Sequence, residues 1–225
     1  MTYISSHKSF VFGNVLKKVV RDPMLMHYDL YATGKNITLI DDRSRMTAND
    51  LAGLGYCSIN AVCSPCLIMA KVIKDHEGEL VEASAAHFSA NVTSSQIDHF
   101  LQASSADSEN TFVAMAGLAQ MEDRTSLREK TSRVVDRLHR FGIPISLTMD
   151  RDQRPIIIDE RQEQVISDIG MGIISEQESV HRWVALLTTG RHSVLVSTVT
   201  TGNHQIKHTQ LITDFGETVL IRPGK

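Results

Sequence analysis

The apolar positions of this chain fall into blocks of two periods. Residues 67–73 (LIMAKVI) form an almost continuous apolar run, residues 74–78 (KDHEG) a polar turn, and a second run starts at Leu80, which together predict a β-hairpin. Thr93, Ser94 or Ser95 then caps a short helix carrying Ile97, Phe100 and Leu101 on one face. A polar loop over 104–110 leads to residues 111–116, which read as a buried strand ending at Gly117. The clearest helix follows. Ser126 and Glu129 have capping-box spacing, and Leu127, Val134, Leu138 and Phe141 recur at helical spacing. Gly142 is placed for a left-handed stop, and Pro144 forbids continuation. Residues 143–149 and 155–158 read as strands flanking the turn 150–153. The last third is β-rich, with strands expected over 183–187, 193–199, 206–213 and 218–221 and with Gly190, Gly202 and Gly216 in the turns.

The first fifty residues carry weaker signals. Phe10, Phe12, Val15, Leu16, Val19 and Val20 fit a short helix or a strand pair ending at Asp22 and Pro23. Residues 28–31 and 37–40 predict a hairpin closed through Gly34, and residues 41–45 (DDRSR) a solvated charged connector.

Composition narrows the class. At 225 residues, with 42% hydrophobic and 22% charged positions, the chain predicts one domain, or one core with an extension. A net charge of −3 without a basic block argues against a nucleic-acid-binding surface. No apolar run has the length of a membrane span, and the N-terminus lacks a signal-peptide pattern, so a cytoplasmic location is expected. Three cysteines suit thiols, ligands or a redox pair better than a disulfide framework in a reducing compartment.

All three cysteines lie in one stretch, 57–87, that ends in a histidine. If the hairpin turn centres near His76 and Glu77, strand counting sets Cys66 opposite His87. A thiol facing an imidazole is the minimal unit of cysteine nucleophilic catalysis, the imidazole accepting the thiol proton. Other readings stand beside it. The cysteines can simply pack in strands. Cys63-Ser64-Pro65-Cys66 resembles the redox CxxC of thioredoxin-like oxidoreductases, and Gly142-Ile143-Pro144 resembles their proline segment. His181, within a strand, resembles the histidine of papain-like hydrolases and would pair with Cys57 at a helix start. Zinc held by Cys57, Cys63, Cys66 and a histidine has the right atoms, but a closed site usually presents two ligand pairs and there is a single CxxC, so no metal is expected.

The order of these features resembles that of the chemotaxis receptor glutamine deamidases, the CheD family, over roughly residues 57–168. A strand leads through residues 59–65 to a nucleophilic cysteine at Cys66, and a hairpin returns a histidine in Ala85-Ala86-His87-Phe88. Farther on, Ala116-Gly117-Leu118-Ala119-Gln120-Met121, the helix from Leu127, and Gly142-Ile143 leading to a strand follow in family order. The resemblance implies a layered α/β sandwich, with a catalytic core over 1–168 and a β-rich C-terminal extension over 169–225 packed on it. It implies Cys66 as nucleophile and His87 as base, with Asn60 at the position of the family's His-orienting threonine. Gly53-Leu54-Gly55-Tyr56-Cys57 also matches the family's cysteine word, which makes Cys57 the alternative nucleophile. The departures are Ser64-Pro65 before Cys66, a single glycine at Gly117, and a missing glycine pattern around residues 150–154. The implied activity is deamidation of glutamine side chains on a partner protein, without a cofactor, in chemotaxis or as a secreted effector. The opposing class is a non-catalytic protein-binding module on the same scaffold.

Overall fold

A computed structural model of the chain describes residues 35–38, 43–47, 57–63, 66–102, 108–118, 124–170, 180–188, 193–201, 206–213 and 217–221. The strands are β1 (Lys35–Thr38), β2 (Arg43–Thr47), β3 (Cys57–Cys63), β4 (Leu67–Lys74), β5 (Leu80–Phe88) and β6 (Thr111–Gly117). They continue as β7 (Ile145–Met149), β8 (Pro155–Asp159), β9 (Gln164–Val165), β10 (Ser167–Ile169), β11 (Val180–Thr188), β12 (Ser193–Thr201), β13 (Ile206–Thr213) and β14 (Glu217–Ile221). Among the described residues two α-helices, α1 (Ser94–Gln102) and α2 (Arg124–Arg140), flank β6 in sequence. The protein is therefore mixed α/β and mostly strand.

The apolar run 67–73 is continuous because β4 is covered on both faces. It lies between β6 and β5 in a five-stranded sheet of order β10-β6-β4-β5-β2. Ile68, Ala70 and Val72 pack with Ala83, Ala85, Ala114 and Ala116, and with Val184, Leu186, Leu195 and Ile212 from the second sheet. That sheet has six strands in the order β1-β3-β11-β12-β13-β14. Leu67 and Met69 alternate to the other side and pack with Ile97, Phe100, Leu127, Val134 and Leu138 of the helices. A third sheet, β7-β8-β9, adds Ile145 and Ile157 to this helix-side cluster.

Both helices form where the pattern places them, and their ends are chemically closed. Thr93 is the cap of α1. Its Oγ1 accepts the Gln96 N–H at 3.3 Å, and Gln96 Oε1 accepts the Thr93 N–H at 2.9 Å, a reciprocal capping box. At the other end the buried Lys71 donates to the Phe100 carbonyl at 3.1 Å, a cation at the negative pole of the helix. Helix α2 stops in a Schellman motif. Gly142 stands at φ +73°, its N–H bonds His139 O at 2.9 Å, and the Ile143 N–H bonds Leu138 O at 3.1 Å.

Three expectations change. The charged connector over 41–45 overlaps β2, which pairs with β5 at the edge of the five-stranded sheet. Charged side chains are what an edge strand tolerates, so composition alone misreads it. The strand expected over 37–40 instead spans Lys35–Thr38, and it pairs in parallel with β3. The other arm, 28–31, and the apolar positions 10–20 lie outside the described residues. The C-terminal strands do more than pack on a core ending at 168: β11 hydrogen-bonds along the whole of β3, from Thr188↔Cys57 to Arg182↔Cys63. Among the described residues no helix is long and apolar enough to cross a membrane.

Candidate active site

The β4–β5 turn is organised by Asp75. Its Oδ1 accepts the N–H groups of Glu77 and Glu79 at 2.9 Å each, and Gly78 supplies the left-handed φ of +80° that the turn needs. The resulting register differs from simple counting about His76 and Glu77. Lys74 pairs with Leu80, which shifts the pairing by one position. Val81 is then skipped, since Ile73 pairs with Glu82, and this bulge adds a second position. Val81, 44% exposed, is left outside, the one large apolar side chain so exposed among the described residues.

His87 consequently stands opposite Ile68 rather than opposite Cys66. The displacement is two residues, an even number, so the face is kept. Ile68, Ala83 and Ala85 line the side of the five-stranded sheet turned toward the six-stranded one, and Cys66 packs against that same cluster. Cys66 and His87 are thus same-face diagonal neighbours on adjacent strands. Such positions are roughly 7–8 Å apart along the backbone, a gap that an imidazole can span. Both residues are half-buried, with the ring nitrogens of His87 turned away from solvent. Cys66 is not disulfide-bonded.

The neighbourhood contains a charged pair that the pattern of the sequence does not announce. Asp168 on β10 pairs with Ala116 on β6, which pairs with Ile68, so Asp168 and His87 share one row across four strands. Arg182 on β11 reaches Asp168 from the other sheet, with Nη1 2.6 Å from Oδ2 and 3.2 Å from the main-chain oxygen. The same Nη1 donates to Ser197 Oγ at 2.7 Å. Both charged side chains are fully buried, so each satisfies a partner that would be costly to leave alone. A lone Arg in the strand HRWVALLT is the signal that could have pointed to it.

The other expected site residues fall elsewhere. Asn60 lies in mid-β3, paired with Thr38 and Ala185 on the six-stranded sheet. It alternates with Ile59 and Ala61, whose partners Leu186 and Val184 belong to the cluster between the sheets. Cys57 opens a strand rather than a helix, and His181 pairs with Thr200 past the far end of β3. That separates Cys57 from His181 by the length of the strand, roughly 20 Å at the usual rise, so the papain-like pairing has no geometry here. Cys63 closes β3 opposite Arg182, and Cys66 leads into β4 of the other sheet. The CxxC thus joins two strands and lacks the helix N-terminus that a redox pair uses to lower its thiol pKa. Among the described residues no group of three or more potential metal ligands converges.

Comparison with protein-family models, with curated proteins and with solved structures gives no match for this chain.

Proposed function

We propose that the protein is a cysteine-dependent amidohydrolase that deamidates glutamine side chains of a partner protein, on a layered α/β sandwich like that of the CheD deamidases. The observation that carries this reading is the shared face of Cys66 and His87 on neighbouring strands. The succession of β6 ending in Gly117, helix α2, and Gly142-Ile143 leading to β7 supports the same likeness.

In this reaction His87 takes the thiol proton of Cys66, and the thiolate adds to the side-chain amide carbon. The tetrahedral oxyanion collapses with loss of the C–N bond, and His87 passes its proton to the departing nitrogen, which leaves as ammonia. Water, deprotonated by His87, then adds to the thioester, and the C–S bond breaks to leave a glutamate carboxylate and the regenerated thiol. The balance is amide plus water to carboxylate plus ammonium. No redox step, metal or cofactor enters. The target gains one negative charge, enough to act as a switch. Asn60, which pairs within the six-stranded sheet while His87 belongs to the five-stranded one, is given no part in this scheme.

The decisive test needs no substrate. Iodoacetamide at neutral pH is expected to alkylate Cys66 faster than Cys57 or Cys63, because a neighbouring imidazolium stabilises the thiolate. His87→Ala should abolish the advantage. Equal rates at the three thiols, or fastest reaction at Cys57, would reject the assignment. With casein as a glutamine-rich probe, ammonia release should vanish in Cys66→Ser, fall about 100-fold or more in His87→Ala, and survive in Cys63→Ser.

A further inference from the structure

We infer that Gly117 and Leu118 are positioning residues for Cys66, fixing its main chain so that the thiol stands on the face shared with His87. This rests on the hydrolase reading above. Cys66 precedes β4, and the last paired rung between β4 and β6 is Leu67↔Gly117. One hydrogen bond extends that ladder: the Leu118 N–H donates to the Cys66 carbonyl at 2.9 Å. Strand alternation therefore continues through Cys66, and the residue falls on the same side as Ile68. Without that rung Cys66 belongs to the crossing from β3, and nothing on β4 dictates which way it faces.

The rung depends on an unusual backbone. Gly117 has φ +128°, and a Cβ built on it would lie 2.1 Å from the Cys66 carbonyl oxygen and 3.1 Å from both the Cys66 carbonyl carbon and Leu67 Cα. These are main-chain atoms, so no side-chain rotation relieves the contact. Only glycine lets the end of β6 close this tightly on the chain at Cys66. Leu118 follows at φ +51°, a left-handed conformation uncommon for a residue with a Cβ. It is held there by complete burial among the helix-side residues and by its bond to Cys66. From the other side, the Gly117 carbonyl accepts the Gly170 N–H at 3.0 Å. Gly170 itself has φ +68°, and a Cβ there would lie 2.6 Å from Leu127 Cδ2 of α2. The end of β6 is thus gripped between Cys66 and the segment that packs on α2.

The experiment follows Cys66 alkylation by iodoacetamide as a function of pH, resolved by peptide mass spectrometry, in two variants. Gly117→Ala introduces the clash. An amide-to-ester replacement at residue 118, leucic acid for leucine, removes only the N–H donor and keeps the side chain. Circular dichroism reports whether each remains folded. The wild-type midpoint is expected below the ordinary thiol value of about 8.5 and dependent on His87. Both changes should raise it toward that value and slow neutral-pH alkylation of Cys66 roughly tenfold, the change in thiolate fraction for one unit, with Cys57 and Cys63 unaffected. If Gly117→Ala does not fold, the ester variant decides alone. A folded variant with the wild-type profile at Cys66 overturns the inference and leaves the hydrolase reading standing. An ordinary wild-type midpoint that ignores His87→Ala removes the hydrolase reading and the inference together.

Discussion

Asp98 on α1 and Arg137 on α2 are joined by two parallel hydrogen bonds, Nε to Oδ1 at 2.6 Å and Nη2 to Oδ2. The Arg137 hydrogen bonds hold the Asp98 carboxyl below the usual carboxylate range. In the unfolded chain Asp98 protonates near 3.9; in the folded chain it protonates at lower pH. The stabilisation is therefore complete above that value and is lost as pH falls through the folded pKa. The urea midpoint of the wild type should drop more steeply below pH 4 than that of Asp98→Asn, and the two should differ most near neutrality. Parallel curves would show that the pair contributes nothing. Single residues also decide what the sequence hides. A polar turn was legible at residues 74–78, but the bulge at Val81 was not, because an apolar residue beside Leu80 looks like any other strand position. Cys66 and His87 could be placed on one face from the sequence, but not at their true separation, since only Asp75 and Val81 together fix the register.

Helix ends were the most readable elements, because their signals are local. The stop at Gly142 needs only a residue free to adopt φ +73° and a proline two positions on. Gly142→Val should cost on the order of 1 kcal/mol or more, measured as a lower denaturant midpoint without a change in slope. A variant as stable as the wild type would mean that α2 ends for another reason. The β-hairpins β7–β8 and β12–β13 were equally plain from their runs and turns. Strands whose partners are distant in sequence were not. Strand β2 is charged because it is an edge, and the parallel pairings of β1 with β3 and β10 with β6 leave no turn between partners to betray them. Gly117 reads as a strand terminator in the sequence, but its close approach to Cys66 exists only in the tertiary structure.

At the scale of the whole molecule, the cluster between the sheets draws on both halves of the chain. Ile68, Ala70, Val72 and Ala114 are buried against Val184, Leu186, Leu195 and Ile212. A chain cut after residue 168 would leave that apolar face exposed and Arg182 absent from Asp168. Residues 1–168 expressed alone are expected to bind a hydrophobic dye and to melt without a cooperative transition; a sharp melt would show that the C-terminal strands are an accessory layer. The shared core also explains why the buried Arg182–Asp168 pair escaped sequence reading, since its members sit in different sheets. The placing of β3 between β1 and β11 carries a last consequence, for how the protein is made. Strand β3 leaves the ribosome long before β11, the strand that must flank it. The interior of the six-stranded sheet is therefore joined from strands made far apart in time, and until β11 has been made β3 presents an open hydrogen-bonding edge. Folding of this sheet should be slow, and the nascent chain should depend on chaperones that shield strand edges.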